Sequence, residues 1–129
     1  MVEELAFEPS ELRVPFPESY GRLYRAQGRA VAELRGEIDI EAALVLGPCL
    51  DVLTLAEGLE LVVDLGRVDF FDCSGLTLLC RARRRVLDRG GHLRVVCARP
   101  FFLRVLRTAG LLGQLPTYPT LEAALDDAS

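Results

Sequence analysis

The sequence predicts an α/β domain with a mostly parallel, mixed sheet of four to five strands, an N-terminal antiparallel hairpin and about four helices. Two features lead to this fold class. Short apolar segments of strand length alternate with segments whose apolar residues have helical spacing. Gln27-Gly28 separates two of the first short segments, as a hairpin turn would. The chain has 129 residues and is 50% hydrophobic, so we expect one domain with its own core.

The opening elements are an arm and a hairpin. Residues 1–21 contain prolines and acids but no periodic apolar pattern, which predicts an extended or flexible N-terminal arm. The domain proper then spans residues 22–129. Its first two strands cover residues 23–26 and 30–34, on either side of the Gln27-Gly28 turn.

A helix and a central strand follow the hairpin. Four apolar residues recur at helical spacing and predict a helix over residues 41–57: Ala43, Leu46, Leu50 and Leu53. Pro48 falls inside this helix and is expected to kink or break it, and Gly58 ends it. Residues 59–65 are mostly apolar, as in a parallel strand that is buried on both faces.

The second half of the chain repeats the alternation of helix and strand. A helix is predicted over residues 73–88 and a strand over residues 92–98. A third helix begins at Pro100 and ends at Gly110, because proline suits the first turn of a helix and glycine its end. A short extended piece at residues 116–118 and a last helix at residues 121–127 complete the order.

The most informative segment is the octet over residues 69–76, which reads Asp-Phe-Phe-Asp-Cys-Ser-Gly-Leu. It follows the strand at residues 59–65, so we interpret it as an acidic turn that starts a helix. Free backbone N–H groups and the positive end of the helix dipole would stabilise a phosphate on a hydroxyl there, whereas the acids would oppose it. Asp39 follows the neighbouring strand and is expected at the same edge of the sheet.

Composition excludes several classes of function. A net charge of −4 argues against nucleic acid as a direct partner. The sequence has no apolar run near the ~20 residues of a membrane span, and its acidic start is unlike a secretion signal, so we expect a cytoplasmic protein. One histidine and four cysteines without a C-x-x-C pair predict neither a metal site nor a cofactor.

Four blocks of the sequence resemble the STAS domain family, and within it the bacterial anti-sigma factor antagonists. The blocks are residues 36–39 (Gly-Glu-Ile-Asp), 61–65 with 68–70, 72–76 (Asp-Cys-Ser-Gly-Leu) and 93–98 with 105–111. The third block is similar to the family signature D-S-[ST]-G-L. The resemblance covers residues 23 to about 127, and it implies a STAS-like fold for the whole domain.

The resemblance also implies a function. Such an antagonist is not an enzyme; it binds an anti-sigma factor, often a serine kinase, and so frees a sigma factor for transcription. The kinase phosphorylates a serine of the antagonist and breaks the complex. The implied partner-binding loop comprises Asp39, Asp69, Phe71, Asp72, Cys73, Ser74 and Gly75. No membrane or nucleic acid takes part, and we expect a monomer or a weak dimer.

One residue departs from the family pattern. The usual phosphoacceptor position holds Cys73, and the nearest serine is Ser74, one place later. That shift turns the side chain by about 100° around a helix. Either Ser74 has become the phosphoacceptor, or phosphorylation does not switch this protein. Plain structural interpretations stand beside these: Asp39 and Asp72 suit helix N-caps, and Ser74 suits the first turn.

Two alternatives of other classes remain open. Cys73 could be the nucleophile of a small cysteine-dependent enzyme, which needs a nearby base. Only His92 could serve, and it opens a strand at the expected opposite end of the sheet. A nucleotide-sensing STAS module is the other alternative, although the chain has neither of the common glycine-rich phosphate-binding motifs.

Overall fold

The computed structural model describes residues 2–4, 16–111 and 113–127, and it confirms the predicted α/β architecture. The strands are β1 (Val2–Glu4), β2 (Gly21–Ala26), β3 (Arg29–Ile38), β4 (Glu60–Phe71), β5 (His92–Val96) and β6 (Thr117–Tyr118). The helices are α1 (Ile40–Leu53), α2 (Cys73–Asp88), α3 (Pro100–Thr108) and α4 (Leu121–Asp126).

The strands form one mixed sheet in the order β1-β2-β3-β4-β5-β6. The β2–β3 hairpin is antiparallel, and its turn residues Gln27 and Gly28 have φ angles of 51° and 78°. Positive φ at both positions is typical of the tight turn that matches the twist of a hairpin. From β3 onward the neighbours are parallel. These five strands, β2 to β6, are those that the sequence predicts.

The sixth strand lies within the predicted N-terminal arm. Val2–Glu4 pairs antiparallel with the outer edge of β2, with Val2 opposite Ala26. The arm is therefore attached to the sheet at this point. The prediction for residues 5–15 lies outside the described residues.

Helices cover the two faces of the sheet unequally. The larger apolar cluster joins the sheet to α1, α2 and α3 through residues such as Leu46, Leu79 and Phe102. On the other face, α4 is the one helix among the described residues that packs against the strands, through Ala124 and Leu125. Side chains alternate between the two faces along each strand, so each central strand contributes to both clusters.

Helix α1 differs from the prediction at Pro48 and at its end. It continues through Pro48 and ends at Leu53 rather than near Gly58. Pro48 is exposed, and buried Leu46 and Leu50 on either side of it hold the helix against the core. Thr54 is the C-cap of the helix, and its backbone N–H and its hydroxyl both donate to the carbonyl of Leu50, at 2.9 and 2.7 Å.

Strand β4 ends six residues beyond the predicted strand, which ended at residue 65. It continues to Phe71, with Glu37 opposite Phe70 and Ile38 opposite Phe71. Two register shifts in β3, one of them beside Gly36 at a φ of 76°, accommodate this pairing. The predicted acidic turn is therefore reduced to the single residue Asp72.

Candidate functional site

Two aspartates cap two helices side by side at the carboxyl edge of the sheet. Ile38 and Phe71 are paired at the ends of the parallel strands β3 and β4, and each is followed at once by an aspartate. Asp39 Oδ1 accepts from the N–H of Ala42 at 3.0 Å and so caps α1. Because both helices start at this edge, their positive dipole ends point toward the same surface.

Asp72 caps α2 in the same manner. Its Oδ1 accepts from the N–H of Ser74 at 2.8 Å and of Gly75 at 3.4 Å. Both predicted N-caps are thus confirmed, and the side-chain hydrogen bond of each is worth about 1 kcal/mol. Asp72 already occupies the amides that would otherwise face an incoming anion.

Cys73 and Ser74 occupy the first two positions of α2 and differ in exposure. Cys73 is exposed, whereas Ser74 is partly buried. Successive side chains diverge by about 100° around a helix, so the two groups face different surroundings. The exposed group at the family's usual phosphoacceptor position is therefore a thiol.

Phe71, predicted in the partner-binding loop, is the last residue of β4, and its side chain is only 3% exposed, so its ring offers a partner no free surface. Its ring packs in the core with Phe102, with 6.0 Å between ring centroids, and lies directly beneath Gly75. Neighbouring residues of a strand point to opposite sides. Phe70, which is 45% exposed, is therefore the aromatic ring that a partner can reach.

Asp69 lies at the outer rim of the site. Its carboxylate is 3.9 Å from Nη2 of Arg99, and both side chains are largely exposed, so the ion pair stabilises the fold little. Arg99 also lies over the ring of Phe102, 5.7 Å from its centroid. Arg99 is not among the residues predicted for the site, although its place just after β5 indicates the same edge of the sheet.

A shallow cavity of about 190 Å³ opens beside Asp39. Arg35, Glu37 and Glu41 contribute charged walls, and Tyr20 closes the side toward the arm. The backbone N–H of Arg35 donates to the carbonyl of Tyr20 at 2.9 Å, which holds the segment before β2 against β3. The cavity therefore extends the surface around the α1 cap rather than forming a separate deep site.

His92 lies at the other edge of the sheet, as the sequence analysis expects. It pairs with Glu60 at the start of β4, and its Nδ1 is 2.8 Å from Glu60 Oε2. The 12 residues of β4 separate it from Cys73, and they span roughly 35 Å. At this distance the Cys73 thiol cannot contact the His92 imidazole.

Metal-binding clusters and membrane-spanning helices are both absent from the described residues. Nowhere in residues 2–4, 16–111 and 113–127 do three or more His, Cys, Asp or Glu side chains group as a metal site would require. Within the same ranges, every helix is too short or too polar to span a bilayer.

Comparisons with known proteins agree with this architecture. A Mycobacterium tuberculosis protein named "Putative anti-anti-sigma factor Rv2638" is 37% identical over 65 residues, which are 50% of this chain and 44% of that protein. The chain thus spans less than half the length of this curated relative. A crystal structure of an anti-sigma factor antagonist from Mycobacterium paratuberculosis is 30% identical, with a TM-score of 0.74 over 81% of this chain and 89% of that one.

A more distant structure shares the fold. SpoIIAA, described as a Bacillus cell fate determinant and solved in its phosphorylated form, is 21% identical with a TM-score of 0.66. The match covers 82% of this chain and 96% of that one. A sequence model of the STAS domain family matches residues 22–124. This protein belongs to the STAS domain family.

Proposed function

We propose that this protein is an anti-sigma factor antagonist, a regulator of transcription without enzymatic activity that binds an anti-sigma factor through the carboxyl edge of its sheet. The observation that carries the proposal is the pair of capped helix starts at Asp39 and Asp72, in a STAS domain whose relatives include an anti-sigma factor antagonist. Such a regulator acts in the cytoplasm, where sigma factors work.

The surface around the caps has the features of a binding site for a protein. Phe70 offers an exposed ring, which is a common anchor in interfaces. Cys73 is exposed beside it at the start of α2, and Asp69 provides charge at the rim. By contrast, His92, the base that the cysteine-dependent enzyme would need, lies beside Glu60 at the other edge of the sheet and gives that enzyme no support.

Binding measurements test this function. Each purified anti-sigma factor of the bacterium that encodes the protein is titrated with the wild type, with Phe70→Ala and with Leu87→Ala. Leu87 is also exposed, at 43%, but it lies near His92 at the other edge of the sheet. We expect one anti-sigma factor to bind the wild type. Its Kd should rise tenfold or more for Phe70→Ala and should stay within about twofold of the wild-type value for Leu87→Ala. The proposal fails if none of them binds the wild type.

We further propose that the partner is of the serine-kinase type and that phosphorylation of Ser74 does not control binding. Asp72 accepts from the backbone N–H groups of Ser74 and Gly75. A phosphate on Ser74 would compete with this carboxylate for the same donors and repel it. The partly buried position of Ser74 supports the same conclusion.

Phosphorylation assays separate this proposal from a Ser74 switch. The wild type, Ser74→Ala, Cys73→Ser and the double variant are incubated with the partner kinase and ATP and analysed by mass spectrometry. We expect no phosphate on the wild type and one on Cys73→Ser, because that substitution places a hydroxyl at the exposed position. A phosphate on the wild type that is lost in Ser74→Ala would establish Ser74 as the phosphoacceptor instead.

A further inference from the structure

The outer side of α1 carries a row of exposed apolar residues. Their exposed fractions are 67% for Ile40, 72% for Leu44, 38% for Val52 and 51% for Leu55. With exposed Pro48 they recur every three or four positions, so the first four lie along one side of α1 and Leu55 follows two residues beyond its end at Leu53. These five residues are called the α1 stripe below.

The fold itself does not need the α1 stripe. The opposite side of α1 already supplies the core, through four residues that are at most 2% exposed: Ala42, Leu46, Leu50 and Leu53. A helix on the surface of a globular protein normally has polar residues on its outer side. The stripe exposes several hundred Å² of apolar surface, which is at the level that marks interaction sites in monomeric proteins.

A second copy of the chain is not the occupant that the stripe favours. Two facing stripes would bury on the order of 1,000 Å² in total, which falls short of the roughly 1,200–2,000 Å² of a stable interface. The stripe is, however, continuous with the candidate site, since Ile40 follows Asp39 directly. One partner that covers both would reach the area of an ordinary stable complex.

The charges near Ile40, at the end of the α1 stripe beside the candidate site, indicate the chemistry of a partner that covers both. Acidic side chains outnumber basic ones around the two caps: Glu37, Asp39, Glu41, Asp69 and Asp72 against Arg35 and Arg99. A complementary surface has basic residues beside an apolar face, and such a match raises the rate of association.

We propose that the α1 stripe, as far as Val52 and Leu55, is part of the binding surface for the anti-sigma factor, which presents an apolar face with a basic rim. This inference rests on the proposed function and extends it from the loop around Cys73 to the whole length of α1. The far end of α1 thereby becomes a determinant of partner choice that the loop motif does not contain.

Uncharged substitutions test the stripe without altering its electrostatics. The anti-sigma factor that binds the wild type is titrated with Leu44→Gln, Leu55→Gln and the matched control Leu87→Gln. Glutamine keeps the helix propensity near that of leucine, and all three positions are exposed, so thermal denaturation should show equal folding. We expect Kd to rise tenfold or more for Leu44→Gln and Leu55→Gln, and less than twofold for Leu87→Gln.

The outcomes distinguish the two proposals. Unchanged affinity in both stripe variants, with binding by the wild type intact, overturns the stripe and leaves the proposed function standing. If no anti-sigma factor binds the wild type, both proposals fall. Sedimentation of the isolated protein completes the test, since a wild-type dimer that Leu44→Gln dissociates would assign the stripe to a second copy and overturn the inference.

Discussion

At the scale of single residues, the junction between β4 and α2 depends on Gly75. A Cβ atom at this position would lie 2.6 Å from a ring carbon of Phe71. Phe71 has little room to move, because it is buried against Phe102. The glycine therefore lets the first turn of α2 approach the end of β4, which places Asp72 and Cys73 where they are.

The variant Gly75→Ala tests this contact. We expect it to lower the free energy of unfolding by about 1–3 kcal/mol, because the added methyl group overpacks the core. Gly47→Ala is the matched control within α1, since its Cβ would meet nothing closer than Leu78 Cδ1 at 3.9 Å. That control should raise stability by about 0.5–1 kcal/mol through helix propensity. Urea denaturation measures both, and equal effects would contradict the proposed steric role of Gly75.

Asp64 gives a prediction on pH. Burial raises the pKa of its carboxyl group, and the hydrogen bond from the Gly66 N–H at 2.8 Å only partly opposes this. A raised pKa in the folded state favours folding at low pH, and this contribution is lost as the pH rises through that pKa. The ionised Asp64 carboxylate therefore lowers the free energy of unfolding at pH 7.

We therefore expect Asp64→Asn to stabilise the protein at pH 7 by roughly 0.5 kcal/mol, because the amide oxygen can still accept from Gly66. The gain over the wild type should disappear as the pH falls below about 4, where both side chains are neutral. Chemical denaturation at several pH values measures the difference. A loss of stability at pH 7 would mean that the charge itself is needed.

At the scale of elements, arginines of α2 hold the C-terminal part of α1. Arg81 forms a two-point contact with Asp51, at 2.8 and 3.0 Å. Arg85 donates to the backbone carbonyl of Asp51 at 2.8 Å and to the hydroxyl of Thr54 at 2.9 Å. These contacts fix the outer end of the α1 stripe relative to α2.

Asp51→Asn should weaken this clamp. The hydrogen bond from Arg81 lowers the pKa of the Asp51 carboxyl group. The contact between Asp51 and Arg81 therefore stabilises the fold above about pH 3.9, the pKa of an aspartate in the unfolded chain. This stabilisation is lost as the pH falls through the lower pKa of Asp51 in the folded state. Because the pair is partly exposed, we expect a loss below about 1 kcal/mol at pH 7, decreasing with added salt. Asp88→Asn, which removes an exposed acid at the end of α2, is the control and should show little change.

Periodicity predicted the elements well where one side of each is polar. Helix α2 begins and ends as predicted, because arginines mark its outer side and Asp72 its start. Helix α1 is apolar on both sides, so spacing alone could not tell the core side from the exposed side. The sequence analysis therefore found buried Leu46, Leu50 and Leu53 but missed the α1 stripe.

The candidate site was predictable only in part. Asp39 and Asp72 were expected as caps at a common edge, and short-range capping rules suffice for that. The choice between Phe70 and Phe71 depended on the register of β4 against β3, because a shift of one residue in this pairing exchanges the two faces of the strand. Pairing with β3 decided this, and such pairing between distant residues is not encoded in the local pattern.

At the scale of the molecule, we expect the face of the sheet under α4 to contribute to stability but not to partner binding. The two helix caps and α1 lie on the side of the sheet with three helices, whereas α4 packs on the other face, to which Phe70 points by strand alternation. Arg29 Nη2 donates to the carbonyl of Asp127 at 2.8 Å, and the Tyr118 hydroxyl donates to the Asp127 carboxylate. These bonds attach the end of α4 to the sheet without reaching the carboxyl edge.

Leu125→Ala tests this separation. Leu125 is 6% exposed in the cluster under α4, so its truncation should cost about 2–4 kcal/mol of unfolding free energy by leaving a cavity. Since α4 contacts neither cap, the folded fraction should bind the anti-sigma factor with the Kd of the wild type. Denaturation and titration at a temperature where the variant stays folded measure the two quantities. A Kd that rises several-fold under these conditions would show that the second face of the sheet supports the binding surface, because packing would then couple α4 to the ends of β3 and β4.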